Sequence, residues 1–260
     1  MRKIIETTAS RIGATARKIA SRNLPAAIRL HRLLQQTGFH VARGPEPKIA
    51  LLRSFGISCV LDIGANKGQF GRELRIGGYD GKIVSFEPVN EPYQELKRLA
   101  NRDGKWSAVQ LAIGDRNEHS TIHVSVASDF SSLLTQTEYC VENYHAYSKV
   151  FGEQLVSVKR LDDVFRDYVD TDDEVLLKID TQGFERAVLN GAGAVLPVIR
   201  GVHLELSFEQ LYEGEATAAE MIERLSGDGF TLVFLAPLLQ PHMLGARKIS
   251  QADGLFLRLR

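Results

Sequence analysis

A chain of 260 residues, 44% of them hydrophobic and with ordinary glycine and proline contents, has material for one sizeable α/β core plus an appendage. Its two cysteines, Cys59 and Cys140, exclude a disulfide framework and a cysteine metal cluster and fit a reducing cytoplasm. No apolar run approaches the ~20 residues that span a bilayer, and the N-terminus lacks the apolar centre of a secretory signal.

The net charge of zero conceals an asymmetry. Residues 1–48 carry ten Lys or Arg against Glu6 and Glu46, which leaves the remainder acidic. Within this stretch Ile4, Ile5, Ile12 and Ile19, then Ala27, Leu30, Leu33 and Leu34, fall near helical spacing, so residues 1–48 are predicted to be a basic helical arm. Two readings stay open: a basic amphipathic arm on an anionic membrane surface or a lipid-linked substrate, or a helical cap on the domain. Gly44-Pro-Glu-Pro47 marks the junction with a main domain at 49–260.

Strands and helices then alternate. The pattern predicts a helix over 48–55, a strand over 59–63, a helix over 68–76, a strand over 82–86, a helix over 91–100 and a strand over 107–112. Residues 120–126 alternate as a half-exposed strand does, with 154–158 as partner, while 127–152 reads as an irregular insert. The order resumes with a helix over 161–168, a strand over 174–179, a helix over 184–190, a strand over 202–206, a helix over 216–227 and a strand over 231–235. A last strand over 254–258 is expected to return antiparallel beside its predecessor. Such alternation implies a mostly parallel sheet covered on both faces.

The chemistry concentrates at strand ends. In Val60-Leu-Asp-Ile-Gly-Ala-Asn-Lys-Gly-Gln-Phe70 a strand runs through Asp62 into a turn, with Asn66 between Gly64 and Gly68, that opens a helix. The Gly-x-x-x-Gly spacing departs from the Gly-x-Gly-x-x-Gly turn that seats a pyrophosphate, and the acid favours a cationic adenosine derivative, S-adenosyl-L-methionine. Nineteen positions beyond Gly68, Glu87 closes the next strand, where a ribose-diol carboxylate is expected.

Farther on, Leu176, Lys178 and Asp180 alternate onto one face of a strand covered on both sides. Lys178 therefore needs an anionic partner, either Glu205 on the neighbouring strand or Asp180. This sets a structural ion pair against an acceptor site lined by Lys178, Asp180 and Glu205. Asp180, Glu205 and His203 are the candidate bases, in that order, with His203 one step deeper. His123, His145 and His242 read as surface residues. A Mg²⁺ shared by Asp180 and Glu205 is a variant mechanism, but no further ligand is located by spacing and no metal site is assigned. Phe130, Tyr139, Tyr144 and Tyr147 of the insert offer flat faces for a sugar ring beneath a lid, or else simply pack on the sheet.

Together with Phe86-Glu-Pro88, Ala112-Ile-Gly-Asp115, Ser131-Ser-Leu133, Arg160-Leu-Asp-Asp163, Leu177-Lys-Ile-Asp-Thr-Gln-Gly-Phe-Glu185 and Leu189-Asn-Gly-Ala192, the first motif resembles the FkbM family of S-adenosylmethionine-dependent methyltransferases. The resemblance covers roughly residues 57–257 and implies a seven-stranded Rossmann-like domain that methylates hydroxyls of sugars, glycolipids or polyketide-type products. Members commonly have Glu where Gln182 stands. The resulting assignment places Asp62 and Gly64 near the methionine half of the cofactor and Glu87 at the ribose, with Asn66 and Gly68 also cofactor-binding. The turn ending in Asp115 lies beside adenine or is an ordinary Gly-Asp turn.

The expected acceptor is a small or lipid-linked sugar. Nucleic acid fits poorly, because residues 49–260 are acidic overall and Asp180-Thr-Gln-Gly183 is unlike the Asn-Pro-Pro-Tyr loop of base methylases. A dinucleotide-dependent oxidoreductase and a non-catalytic scaffold are the competing readings.

Overall fold

In the computed structural model, residues 47–237 and 249–259 are described; the predicted arm and His242 lie outside them. The first helix, α1 (Pro47–Ser54), precedes β1 (Cys59–Ile63), α2 (Gln69–Ile76), β2 (Lys82–Phe86), α3 (Asn90–Ala100) and β3 (Trp106–Val109). A second group follows: β4 (Ala112–Gly114), β5 (Glu118–Ser125), α4 (Glu138–Ser148) and β6 (Val150–Arg160). The chain closes with α5 (Leu161–Tyr168), β7 (Val175–Ile179), α6 (Glu185–Gly191), β8 (Ile199–Ser207), α7 (Ala218–Gly227), β9 (Thr231–Pro237) and β10 (Gln251–Leu257).

Seven strands form one sheet in the order β3-β2-β1-β7-β8-β10-β9. All pairings are parallel except those of β10, which runs antiparallel between β8 and β9. Strands β1 and β7 are buried at every position, which is why both read as unbroken apolar runs. One face carries Leu61, Leu177 and Val202 against α5, α6 and α7; the other carries Val60, Ile83 and Leu176 against α1, α2 and α3. Each large apolar side chain so buried contributes ~1.5–3 kcal/mol. The seven-stranded Rossmann-like α/β class expected from the sequence is thus the observed one.

Three expectations are corrected. The strand predicted over 107–112 is two strands, because the chain leaves the main sheet after Val109 and β4 joins a separate sheet ordered β4-β6-β5. The insert is ordered: α4 occupies Glu138–Ser148, with Thr137 accepting the Cys140 N–H as its cap. Its periodicity is obscured by a kink at Tyr144, where φ is −123° and ψ 16°. The insert's aromatics do not form an open platform either, since Phe130 and Tyr144 are buried with Cys140, Leu211 and Tyr212 in a small core of their own. Tyr147 remains half exposed, stacked on Phe130 at 6.5 Å.

Candidate active site

Parallel register aligns the polar residues across the sheet. Ser85, Asp62, Lys178 and His203 are consecutive partners on β2, β1, β7 and β8. All four are buried on the face covered by α2. Lys178 Nζ lies 3.0 Å from Asp62 Oδ1 and 3.5 Å from Asp180 Oδ2, and donates to the Gly64 carbonyl at 3.1 Å. Its ammonium also sits 5.5 Å from the centre of the Phe70 ring, which stacks on His203 at 5.4 Å. Burial alone disfavours the charged lysine, but the Asp62 and Asp180 carboxylates outweigh it and hold the pKa above the ordinary value. Of the two partners expected for Lys178, Asp180 is in contact and Glu205 is not; the nearer carboxylate, Asp62, stands directly opposite it on β1 and was not expected.

Asp62 is fully covered. Its Oδ2 accepts the Ser85 hydroxyl at 2.9 Å, and Ser85 Oγ in turn accepts the Trp106 indole N–H at 3.0 Å. It lines no part of the adjoining cavity, so it acts on the site through Lys178.

Two residues beyond this row stand Gly64, Glu87, Asp180 and Glu205, the first three each one residue past the end of its strand. This is the carboxyl edge of the sheet where strand order reverses between β1 and β7, the place where open α/β sheets bind ligands. Gly64 has φ 73°, and a Cβ there would lie 1.8 Å from the Asp180 carbonyl oxygen, so only glycine lets the two strand ends pass so closely. Gly68, at φ 83°, opens α2.

A cavity of about 610 Å³, counting the space open at its mouth, lies over this edge. Gly64, Asn66, Glu87 and Asp180 line it, as do Leu111, Ala112, Ile113 and Phe184. Glu87 is buried; its Oε2 accepts the Asn66 N–H and its Oε1 the Val89 N–H, both at 2.8 Å. Burial raises its pKa to about 7, against the lowering effect of those two bonds.

At the other end, Gln182 Nε2 donates to Asp180 Oδ1 at 2.8 Å and to Glu205 Oε2 at 3.3 Å. Gln251 Nε2 donates to the same Glu205 oxygen at 2.7 Å. Burial, and then the charges of Asp180, Glu185 and Asp253, push the Glu205 carboxyl well above the ordinary range. Two strand-end acids in contact with one amide, with Lys178 beside only one of them, are an unequal pair suited to acid–base work.

Some predicted site residues lie apart. Asp115 does not line the cavity; its carboxylate accepts from Arg116 and its carbonyl from Arg160, while Ala112 and Ile113 of the same motif form the wall. Gly68, Lys178 and Glu205 stand behind the lining. His145 is exposed on α4, and His123 faces Glu153 at 3.3 Å.

The roof belongs to the insert that the sequence offers as a lid, but the contacts that pin it were not anticipated. Ser128 Oγ donates to Asn66 Oδ1 at 2.9 Å, and Ser132 Oγ donates to the Gln182 carbonyl at 2.6 Å. The segment 128–133 is thereby pinned to both strand-end turns, and Ser131-Ser-Leu133 was its signal. Exposed Asp129 lines the same cavity.

Comparison with known proteins decides the family. A model described as "Methyltransferase FkbM domain" matches residues 62–232. The chain belongs to the FkbM methyltransferase family. This methyltransferase is also similar to the 2-O-methyltransferase NoeI of Sinorhizobium fredii (strain NBRC 101917 / NGR234). The two are 25% identical over 172 residues, covering 64% of this chain and 70% of NoeI.

Among solved structures, Aeropyrum pernix fibrillarin in complex with natively bound S-adenosyl-L-methionine is 11% identical with a TM-score of 0.44, covering 81% of this chain and 74% of its own. A Streptococcus thermophilus rRNA methylase is 10% identical, also with a TM-score of 0.44, covering 85% and 99%. Family membership makes the chain an S-adenosylmethionine-dependent methyltransferase and sets aside the oxidoreductase and scaffold readings. Among the described residues no helix is long and apolar enough to cross a membrane.

Proposed function

We propose that this FkbM methyltransferase transfers a methyl group to a hydroxyl of a sugar or glycolipid, with the donor in the cavity between Glu87 and Asp180. The observation that carries the reading is the pair of acids at opposite ends of one cavity. Glu87 spends one acceptor site per oxygen on a backbone N–H, and a carboxylate offers about four, so it retains capacity for a ribose diol. The apolar wall of Leu111, Ala112 and Ile113 suits a base ring, and the turn at Gly64 and Asn66 suits the amino-acid end. S-adenosyl-L-methionine supplies an electrophilic methyl group when bound.

The chain's own part is alignment, exclusion of water and removal of a proton. Asp180 lines the cavity and takes the proton of the attacking hydroxyl; Lys178 and Gln182 hold its carboxylate in place. A sugar hydroxyl is too weak an acid to ionise beforehand, so the proton leaves as the new oxygen–carbon bond forms. Oxygen as the acceptor atom is supported by the similarity to NoeI, a 2-O-methyltransferase by name. A shared Mg²⁺ is disfavoured by the cluster itself, because Lys178 already supplies a cation to Asp180 and two amides already donate to Glu205. Nucleic acid remains a poor acceptor on the charge argument.

The test is transfer of isotope-labelled methyl from S-adenosyl-L-methionine to a panel of methyl glycosides and glycolipids, with wild type and Asp180→Asn. Label on a sugar hydroxyl, lost in the variant while S-adenosylhomocysteine binding persists, is the expected result. Label found only on nitrogen, or full turnover by the variant, overturns the reading.

A further inference from the structure

The acid pair is held by two glutamines that the reaction does not consume. Gln182 sits at φ 54°, a left-handed conformation that is costly for a residue with a side chain. Its backbone is fixed there by the Ser132 hydroxyl on its carbonyl, and the next residue, Gly183, packs against Tyr212. At the side-chain end Tyr212 Oη, buried, donates toward both the Phe130 carbonyl and Gln182 Oε1 at 3.1 Å. The amide is thus oriented from both sides: its oxygen meets a hydroxyl, and its two N–H groups meet two carboxylates.

The arrangement around Glu205 is one-sided. Both amides, Gln182 at 3.3 Å and Gln251 at 2.7 Å, donate to Oε2. Charged or titratable groups face this cluster from every packed element. They are Lys178 on β7 with Asp62 on β1, Glu185 on α6, Tyr212 and Glu215 on the turn after β8, Asp253 on β10 and His203 on β8. Most of them are acids, so a second full negative charge on the pair depends on the donors that meet it.

We infer that Gln182 and Gln251 are positioning residues that keep the Asp180 carboxylate aimed into the donor cavity, Gln182 by bridging Asp180 to Glu205 and Gln251 by holding Glu205 through one oxygen. The inference rests on the donor reading given above and extends it to the electrostatics of the bound sulfur. Its consequence is a preference for a sulfonium over a neutral thioether, because the Asp180 charge sits at the end of the cavity opposite Glu87.

The experiment needs no acceptor. Affinities for S-adenosyl-L-methionine and S-adenosylhomocysteine are measured by calorimetry from pH 5.5 to 8.5 on the full chain, as wild type, Gln182→Met and Gln251→Met. Methionine keeps the length of the side chain and removes its N–H donors. In wild type the ratio of the two affinities favours the sulfonium.

In Gln182→Met the preference is expected to fall on the order of tenfold at neutral pH, the size of one nearby charge. Gln251→Met shifts in the same direction by less, so the inference stays testable if one variant fails to fold. Equal weakening of both ligands, with their ratio unmoved at every pH, shows a merely structural role and overturns the inference alone. Failure of wild type to bind either ligand overturns the donor reading, and the inference with it.

Discussion

Replacing Asp62 by asparagine removes the charge opposite Lys178 while leaving an oxygen for the Ser85 hydroxyl. The lysine side chain is 7% exposed and the Asp62 side chain not at all, at 3.0 Å. Breaking a buried pair by removing one partner typically costs ~3–5 kcal/mol, because the remaining charge is left without compensation. Here Asp180 at 3.5 Å and the Gly64 carbonyl at 3.1 Å still face the ammonium, so the lower end, about 3 kcal/mol, is expected.

The comparison variant is Asp180→Asn. Its carboxylate is 41% exposed and stands farther off, and the stability loss should be about 1 kcal/mol or less. Adding Lys178→Met to Asp62→Asn removes the stranded charge and should recover most of the loss. Urea unfolding at constant slope measures all three, a loss of about 3 kcal/mol moving the midpoint by roughly 1 M or more. Asp62→Asn is also expected to retain S-adenosylhomocysteine binding wherever the fold persists, since Asp62 lines no part of the cavity. A cost below about 1 kcal/mol for Asp62→Asn, or a double variant whose loss equals the sum of its singles, refutes the reasoning.

Other outcomes follow from the same geometry. Glu87 titrates near 7 and its ionised form accepts hydroxyl donors, so S-adenosylhomocysteine should bind more tightly as pH rises through about 7. Glu87→Gln should flatten that dependence in calorimetry; an unchanged slope would place the ribose elsewhere. Glu185, buried beneath the Thr181 N–H and hydroxyl, is likewise raised to about 7. A carboxyl with a raised folded pKa gives stability that is complete below its unfolded value and is lost as pH climbs through the folded one. Glu185→Gln should therefore stabilise the protein at pH 8 by on the order of 1–3 kcal/mol and leave it unaided at pH 4, as thermal melting would register. Gly64→Ala must push apart the β1 and β7 ends, so a soluble variant with wild-type melting temperature and ligand affinity would contradict the close approach.

Much of the frame was legible because burial on both faces writes itself as apolar runs: 59–63, 82–86 and 174–179 correspond to β1, β2 and β7 nearly residue for residue. The strand-end acids were legible for the same reason, since a charged residue closing such a run has few places to go. Of the partners of Lys178, Asp180 was legible and Asp62 was not, because two strands flank β7 and alternation along one strand does not say which neighbour holds the opposite charge; register with β1 decides it. The insert was misread because α4 is kinked at Tyr144 and buries three side chains on an otherwise exposed helix, which leaves little period to detect. The glutamine bridge depends on Gln182 adopting positive φ and on Gln251 arriving from the far end of the chain, neither of which spacing reveals.

The position of the donor is central. A crystal structure of the chain with S-adenosylhomocysteine should show the ribose hydroxyls within hydrogen-bond distance of Glu87 and the sulfur facing Asp180 beneath the 128–133 roof. A ligand seated outside that cavity, or with its ribose turned away from Glu87, would contradict it.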